Sequence, residues 1–368
     1  MKISHQPINF IKGRYITLSD VEKIITRLDS SRFLIQEAAK SVENRNLYTI
    51  QFGSGPQRII MWSQMHGNES TTTKALLDWL YLLQSNEDYY QDLANKCSFL
   101  VLPMVNPDGA HYYTRVNANQ VDINRDSVSL TQPESRFLHQ AIADFEPTLA
   151  LNLHDQRTIF GVGDTEYPAT ISFLAPAYNQ ERSVNEVRKR AMQLIAGVTA
   201  QLAETIPHQI GRFDDSFNIN CIGDYVTQKG ISTILLEAGH FPNDYQREVT
   251  RRIVFEALVG IIDLYQSYEY LNYSEENYWD IAENAKTFTD IRIESNCENF
   301  STFSKNGAIC IQYIEKLHNS DLIFEYSLDF ESAPHAQFGH KLLKANGLNF
   351  NSIEEIYLFL DKNIEKPQ

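Results

Sequence analysis

The chain has 368 residues, of which 43% are hydrophobic and 21% charged, and its formal net charge is −15. The two fractions are ordinary for a globular protein and exclude a disordered, collagen-like or coiled-coil chain. Because a chain this acidic repels phosphate backbones and anionic lipid, we expect neither nucleic acid nor a membrane surface as a partner. The sequence contains no run of 18 apolar residues, so no membrane span is predicted.

The cysteines and the first residues bear on the cellular compartment. The four cysteines match no zinc-ribbon or C-x-x-C spacing and are too few for a disulfide framework. Residues 1–7 contain no apolar segment of the kind found in signal peptides. We therefore expect a reduced protein in the cytoplasm.

Helical and strand-like patterns alternate over most of the chain. An amphipathic pattern first predicts a helix over 18–41. Strands are then predicted over 47–51, 58–65, 98–105, 148–153, 171–175 and 232–236, and helices over 70–83, 132–145, 182–205 and 245–268. Apolar strands that alternate with amphipathic helices predict an α/β fold, with a sheet covered by helices on both faces.

The pattern changes after about residue 270. Residues 287–330 contain short strand-like runs, and a last helix is predicted over 352–363. We therefore predict two domains: an α/β domain over residues 1–268 and a small α+β appendage of unknown role over 275–368.

The first candidate site lies in His66-Gly67-Asn68-Glu69, where a buried strand ends and a helix begins. The carboxyl ends of strands in open α/β sheets face the ligand crevice. One side chain leaving the strand and another in the first helical turn can converge on one ion, and His with Glu is a zinc-binding pair. Taken alone, the spacing is a weak signal for a metal and is more typical of a loop histidine and a helix-capping glutamate.

Two more strand ends carry polar residues. His154 ends the strand over 148–153, and a second histidine there would complete a His₂Glu zinc set. Glu237 follows the apolar run 232–236, where a carboxylate is costly unless it is paired or placed for chemistry. Beside a metal-bound water it would act as a general base. A structural histidine and a salt-bridged glutamate are the alternatives.

A polar loop follows the strand over 98–105. It begins with the turn NPDG, residues 106–109, and continues as RVNANQVDINR, residues 115–125. Arg115 and Arg125 stand ten residues apart among Asn and Asp, with no apolar period between them. The pattern favours anion recognition, and solvated arginines are the alternative.

Together these segments resemble the zinc metallocarboxypeptidase family. The matching segments, in the family's order within residues 40–265, are HGNE (66–69), NPDG (106–109), RVNANQVDINR (115–125), LNLH (151–154) and TILLEAG (233–239). The stretch between the two arginines is most similar to the short bacterial branch that cleaves murein-type or other small peptides. The resemblance implies a mixed sheet of eight strands sandwiched by helices.

The resemblance also implies the metal chemistry. His66, Glu69 and His154 would bind one Zn²⁺ ion. Glu237 would deprotonate the zinc-bound water and then protonate the leaving amine. Arg115 would stabilise the tetrahedral oxyanion, as donors in such sites do.

The remaining motif residues would position the substrate and the first metal ligand. Asn124 and Arg125 would hold the free carboxylate of the substrate, with Arg125 acting as a bidentate fork. Asp122 would accept a hydrogen bond from the far N–H of His66 and so fix its tautomer.

The sequence departs from the family pattern at several positions. Asp126 stands where the family often has Asn, beside the carboxylate-binding arginine. Residues 209–224 contain no tyrosine that could cover the substrate carboxylate, and Tyr225 is the nearest candidate. Asp214 and Asp215 would favour a basic group on the substrate, unless they only form a solvated acidic turn.

The predicted function is zinc-dependent, carboxypeptidase-like hydrolysis of peptide or amide bonds in small peptides. One alternative is a zinc deacylase or amidase acting on N-acyl amino acids or murein-type peptides. Another is a family member that has lost activity and only binds its ligand, although all three metal ligands and the base are present. The expected partner is a small peptide or an acyl-amino acid, and the sequence predicts no oligomeric state.

Overall fold

A computed structural model describes residues 3–297, 300–304, 307–329 and 335–367. The α-helices are α1 (Leu18–Ile25), α2 (Thr71–Ser85), α3 (Glu87–Lys96), α4 (Pro107–Tyr112), α5 (Pro133–Phe145), α6 (Glu186–Leu202), α7 (Ile222–Gln228), α8 (Glu248–Ser267), α9 (Glu275–Trp279) and α10 (Ile353–Asn363). The strands are β1 (Leu34–Lys40), β2 (Asn46–Gly53), β3 (Gln57–Ser63), β4 (Cys97–Leu102), β5 (Leu149–Asp155), β6 (Gly161–Val162), β7 (Ile171–Leu174), β8 (Ile210–Arg212), β9 (Ser232–Ala238), β10 (Asn284–Ala285), β11 (Phe288–Glu294), β12 (Ala308–His318), β13 (Asp321–Leu328) and β14 (Phe338–Lys344).

The larger sheet has eight strands in the order β1-β2-β4-β3-β5-β9-β7-β8. Its centre is parallel, because β3 pairs with β4 and β5, and β5 pairs with β9, all in the same direction. The pairs β1 with β2, β2 with β4 and β7 with β9 are antiparallel. The predicted mixed α/β fold with an eight-stranded sheet is therefore confirmed.

Apolar helices cover both faces of this sheet. Every residue of β5 is buried, as expected for a central strand with packing on both sides. One apolar cluster includes Leu76 of α2 and Ile261 of α8, and the cluster on the other face includes Leu138 of α5 and Val226 of α7. Full burial of such a side chain contributes about 1.5–3 kcal/mol, so the parallel centre is the most strongly held part of the sheet.

The helix predicted over 18–41 is wrong in its second half. Helix α1 ends at Ile25, and Leu34–Lys40 forms the edge strand β1, paired antiparallel with β2. A turn separates the two elements, in which the Asp29 carboxylate accepts a hydrogen bond from the Ser31 N–H at 2.9 Å. The residues of β1 are mostly exposed, so the strand shows no clean apolar alternation in sequence.

The chain ends in a second sheet of four strands, in the order β13-β12-β11-β14. We call β11–β14 the C-terminal sheet. Helix α10 packs on it through Ile356 and Leu360, which join an apolar cluster with Ile291 and Ile311. In the segment before it, β10 pairs antiparallel with β6 and forms a separate sheet of two strands. The division into two domains stays a prediction.

The four cysteines are free thiols. Burial raises the pKa of Cys97 to about 12, which keeps this side chain a neutral thiol. Among the described residues, no helix combines the length and the apolarity that crossing a bilayer requires.

Candidate metal centre

The candidate site lies at the carboxyl edge of the parallel centre of the larger sheet. His66 and Glu69 occupy the connection between β3 and α2, and His154 is in β5. Glu237 of β9 pairs in register with His154. The structure thus brings three predicted strand-end positions to one edge, as the topology rule for α/β sheets anticipates.

Three side chains at this edge converge on one point. The Nδ1 atoms of His66 and His154 lie 3.1 Å apart, and each lies 2.8 Å from a carboxylate oxygen of Glu69. Within the described ranges, this is the one group of three or more His, Cys, Asp or Glu placed to share a metal ion. Two nitrogens that each lie about 2.0–2.1 Å from a tetrahedral zinc ion are roughly 3.3 Å apart, so the donor set fits zinc.

A second carboxylate orients His66. Its Nε2 lies 3.1 Å from Oδ1 of Asp122, which leaves Nδ1 facing Glu69 and His154. Burial alone would lower the pKa of His66, but the charges of Glu69 and Asp122 raise it. For Asp122, burial would raise the pKa, and the His66 ring and the Arg115 guanidinium lower it. Such a carboxylate–histidine pair fixes the tautomer of a ligating histidine.

His154 and Glu69 hold the protonation states that a metal requires. Burial lowers the pKa of His154, and a neutral imidazole is the form that binds metals. Burial would raise the pKa of Glu69, but the two histidines hold it well below its usual range. The backbone N–H of Asp155 also donates to Glu69 at 3.2 Å. The metal-free cluster thus favours a neutral imidazole at His154 and an anion at Glu69, whereas the raised pKa of His66 means that this ring has to lose a proton when a metal binds.

The loop that carries His66 and Glu69 is fixed from two sides. The Asp155 carboxylate accepts hydrogen bonds from the backbone N–H groups of Thr71 and Thr72, at 3.0 and 3.3 Å, and so caps the start of α2. On the other side, a Cβ added to Gly67 would lie only 1.9 Å from the carbonyl carbon of Gly109. Only glycine allows this backbone contact between the HGNE and NPDG segments.

Asn106 of the NPDG turn joins the same two segments. Its Oδ1 accepts a hydrogen bond from Gly109 N at 2.8 Å, which caps α4. Its Nδ2 donates to the carbonyl of Met65 at 3.1 Å, next to the first candidate ligand. The turn residues therefore support the loop of His66.

Glu237 differs from the other carboxylates of the site. It accepts no hydrogen bond and forms no ion pair with any residue that the structure describes. Burial, together with the nearby charges of Glu69 and Asp155, raises its pKa well above the usual range. A carboxylate with a raised pKa is a stronger base than an ordinary glutamate, as a group that takes up a proton in catalysis requires.

The predicted arginines face the same space. A cavity of about 360 Å³, the strand-end cavity, adjoins the metal cluster; its lining includes His66, Glu69, Arg115, Asn124, Arg125 and Glu237. Arg115 donates to Glu69 at 3.3 Å and to Asp122 at 3.1 Å. The Oδ1 of Asn124 accepts from Ile222 N at 3.1 Å, at the start of α7, so its amide is held in place.

The acidic residues that depart from the family pattern have local partners. Asp126 accepts hydrogen bonds from Thr131 N and Gln132 N, at 3.0 and 2.9 Å, so its carboxylate is hydrogen-bonded within its own loop. Asp215 is buried in an ion pair with Arg188 at 2.5 Å. Neither of these two carboxylates is free for a substrate.

Asp214 and Tyr225, the other two residues noted as departures from the family pattern, have different surroundings. Asp214 lines the strand-end cavity and accepts a hydrogen bond from the Ser216 hydroxyl at 2.7 Å. Tyr225 packs against the ring of His139, with centroids 4.6 Å apart, and belongs to the wall of an apolar cluster. The aromatic residues that line the cavity are instead Phe160 and Phe213, whose rings are 5.1 Å apart.

Sequence reasoning missed Asp224 in the first turn of α7. This side chain lines the strand-end cavity and accepts a hydrogen bond from Asn218 N at 3.1 Å. Burial, with a smaller contribution from Asp215, raises its pKa to about 7. An acidic residue between Gly223 and Tyr225 in a short helix carries no sequence signal beyond that of an ordinary first-turn acid.

A second cavity, of about 400 Å³, continues from the metal cluster toward the C-terminal sheet, and we call it the sheet-side cavity. The two cavities share a set of lining residues: Glu69, Arg115, Asp155, Gln156 and Arg157. The candidate metal centre therefore lies between two spaces. The sequence alone does not indicate the second cavity, because one of its walls comes from β12, which is distant in sequence from all the motif residues.

Comparisons with known proteins agree with this geometry. Residues 22–142 match the family model described as zinc carboxypeptidase. Probable carboxypeptidase 2 of Trichophyton verrucosum is 33% identical over 124 residues, which are 32% of this chain and 24% of that protein. The chain therefore matches less than two thirds of that relative's length.

Solved structures share the fold. A metallo-carboxypeptidase from Burkholderia cenocepacia superposes with a TM-score of 0.54 and 15% identity, over 69% of this chain and 70% of its own. A metallo-carboxypeptidase from Pseudomonas aeruginosa, in complex with (2-guanidinoethylmercapto)succinic acid, has a TM-score of 0.53 and 17% identity, over 68% and 69% of the two chains. At these identities the likeness shows a common fold.

Proposed function

We propose that this chain, whose residues 22–142 match the zinc carboxypeptidase family model, hydrolyses peptide bonds in small peptides from their carboxyl end. The observation that carries the proposal is that a His–Glu–His metal set and the unpaired carboxylate of Glu237 adjoin one cavity. Arginine side chains that suit a carboxylate line the same cavity.

His66, Glu69 and His154 would hold one Zn²⁺ ion through two imidazole nitrogens and a carboxylate. When bound, zinc supplies Lewis acidity, polarising a carbonyl and lowering the pKa of water. Asp122 would keep the His66 ring in the orientation that leaves Nδ1 free for the ion.

Glu237 would move the proton. A carboxylate oxygen of Glu237 takes a proton from the attacking water as the water oxygen bonds to the scissile carbonyl carbon. The same oxygen then gives the proton to the amine nitrogen, and the C–N bond breaks. The raised pKa of Glu237 supports this role, since a carboxylate with a raised pKa accepts a proton more readily than an ordinary glutamate.

The arginines would bind the charges of substrate and transition state. Arg115, whose guanidinium reaches Glu69, would donate to the developing oxyanion. Arg125 would pair with the terminal carboxylate of the substrate, beside the amide of Asn124. A peptide held this way has its last peptide bond at the metal centre.

An assay with matched substrates tests the proposal. The zinc-loaded protein is incubated with short peptides, with the same peptides amidated at the carboxyl end, and with N-acyl amino acids. We expect release of the last residue from the free peptides. Turnover confined to N-acyl amino acids would favour the deacylase alternative, and turnover of none would favour a binding protein.

A cytoplasmic location is also part of the proposal. Its support is that the four cysteines are free thiols, the usual state in a reducing compartment. Fractionation of cells that express the protein at its natural level tests this location. Recovery from the medium or an oxidising compartment would contradict it.

A further inference from the structure

The C-terminal sheet forms one wall of the sheet-side cavity. Strand β12 contributes Gln312, Tyr313 and Glu315, and the larger α/β part contributes Arg14 and Arg247. The volume of about 400 Å³ lies within the range of about 300–1,000 Å³ that is typical of small-ligand sites. The cavity shares Glu69 and the residues near it with the strand-end cavity, so one ligand can occupy both.

Direct contacts fix this wall against the larger part. The Tyr245 hydroxyl donates to Asp290 of β11 at 2.9 Å. Arg14 forms an ion pair with Glu315. The Nε2 of His340 lies 2.8 Å from the carbonyl of Thr158. The cavity is therefore built by buried polar contacts between the two parts of the chain.

The acidic groups of the cavity are already paired. Glu315 forms the ion pair with Arg14 and also accepts a hydrogen bond from the Tyr113 hydroxyl. Asp290 accepts from Tyr245 and, at 2.8 Å, from the backbone N–H of Tyr313. Asp155, which caps α2, lies 4.0 Å from the Arg247 guanidinium. None of these carboxylates is left to bind a cationic ligand.

The groups without partners in this cavity are mainly donors. Within the described chain, Arg157 is exposed, its guanidinium forms no hydrogen bond and no ion pair, and the residue lines both cavities. Four buried donor atoms of lining residues also have no partner: Arg14 Nε, Arg247 Nε, Gln312 Nε2 and the Tyr313 hydroxyl oxygen. Among the lining residues, one buried acceptor atom, Asn68 Oδ1, also has no hydrogen-bond partner in the described part of the chain.

An excess of unpaired donors favours a ligand rich in hydrogen-bond acceptors. Buried polar groups are nearly always hydrogen-bonded, because leaving one unpaired destabilises the fold. A carboxylate offers about four lone-pair sites and pairs well with a guanidinium. Arg14, Arg247 and Gln312 are each more than nine-tenths buried, so they form a built site and are not solvated surface groups.

We infer that the sheet-side cavity binds a carboxylate carried by the substrate residue on the N-terminal side of the scissile bond, with Arg157 as its main partner. The inference rests on the proposed function, because it places the scissile bond at the metal centre between the two cavities. It names the substrate class: short peptides whose penultimate residue is acidic. The C-terminal sheet would then serve as the specificity wall of the enzyme.

A pair of tripeptides that differ only in charge tests this inference. The zinc-loaded protein is assayed with Ala-Glu-Ala and Ala-Gln-Ala, and release of the last alanine is measured. We expect kcat/KM to be at least about 10-fold higher for the Glu peptide, as for a charged hydrogen bond of about 1.5–3 kcal/mol. Equal values, or a preference for Gln, would overturn the inference.

Two arginine variants assign the preference to the cavity. Arg157→Gln should bring the Glu-to-Gln ratio of kcat/KM close to 1. The control Arg252→Gln changes an exposed arginine of α8 that lines neither cavity, and it should leave the ratio unchanged. A ratio that persists in Arg157→Gln would contradict the role of Arg157.

A binding measurement separates this inference from the proposed function. If neither tripeptide is hydrolysed, the proposed hydrolysis fails, and calorimetry on the same zinc-loaded protein still compares their affinities. Tighter binding of the Glu peptide, lost in Arg157→Gln, would uphold the cavity's preference. Equal affinities would overturn the inference independently of activity.

Discussion

His154 and Glu237 are paired in register on the adjacent parallel strands β5 and β9, so their side chains leave the same face of the sheet at the same edge. The distance between the two backbones is set by the sheet, where neighbouring strands lie about 4.8 Å apart. A candidate metal ligand and a candidate base therefore stand on the most deeply buried strands. A site on such rigid elements holds its geometry better than one on loops.

The first prediction concerns metal content. His154→Ala removes one of three donors, and we expect the zinc content to fall from about one ion per chain to below about 0.1 under conditions that load the wild type. The control is His318→Ala, at the exposed end of β12. Mass spectrometry of dialysed protein gives the stoichiometry. A full complement of zinc in His154→Ala would show that the ligand assignment is wrong.

The second prediction concerns the carboxylate behind His66. Asp122→Asn keeps an acceptor but removes the charge that acts on the His66 ring. We expect zinc affinity to fall about 10- to 100-fold, as is typical for loss of such a partner. Competition with a fluorescent chelator measures the affinity, and Asp321→Asn, on the exposed side of β13, is the matched control. Unchanged affinity would mean that Asp122 has no part in metal binding.

The third prediction concerns recognition of the substrate carboxylate. The wild type should cleave a free peptide far better than the same peptide with a carboxyl-terminal amide. Arg125→Gln should lose most of this discrimination, with kcat/KM for the free peptide falling about 10- to 100-fold. Steady-state kinetics on both substrates measures it, with Arg252→Gln as the control. If Arg125→Gln still prefers the free peptide over the amidated one, the substrate carboxylate binds to other residues.

The fourth prediction concerns stability and pH. Burial raises the pKa of Asp224 from 3.8 to about 7, so the folded chain keeps this proton at pH values where the unfolded chain has lost it. The side chain therefore lowers the free energy of unfolding progressively as pH rises from about 4 to about 7. Asp224→Asn should match the wild type near pH 4 and exceed it at pH 8, by up to about 4 kcal/mol.

Urea unfolding of the metal-free proteins at both pH values checks this prediction. Asn keeps an oxygen that can accept from Asn218 N, so the hydrogen bond is preserved in the variant. Asp321→Asn is again the control and should show no pH-dependent difference. A variant that is less stable than the wild type at pH 8 would mean that the Asp224 charge is stabilising.

Much of the site could be predicted from sequence because its residues follow buried strands. His66, His154 and Glu237 each come directly after or at the end of an apolar run, and the parallel centre of the sheet brings such ends together. The eight-stranded sheet is confirmed, and the resemblance is confirmed by the family match over residues 22–142, which contains the first three motifs. The roles of the individual residues stay predictions until the variants are measured.

Other features depend on contacts between distant segments. The ion pair of Arg14 with Glu315 joins residues 301 positions apart, and neither position has a pattern that signals the other. Asp215 looked available for a substrate, and only the fold reveals Arg188 beside it. The edge strand β1 was missed because its exposed residues lack the alternation by which strands are identified.

The most direct test of the account is the activity and zinc content of Glu237→Gln. The substitution keeps the size of the side chain and removes its capacity to take up a proton. We expect about one zinc ion per chain in both proteins, with kcat on a short free peptide at least about 1,000-fold lower in the variant. A Glu237→Gln protein that binds zinc and hydrolyses the peptide at the wild-type rate would contradict the proposed mechanism.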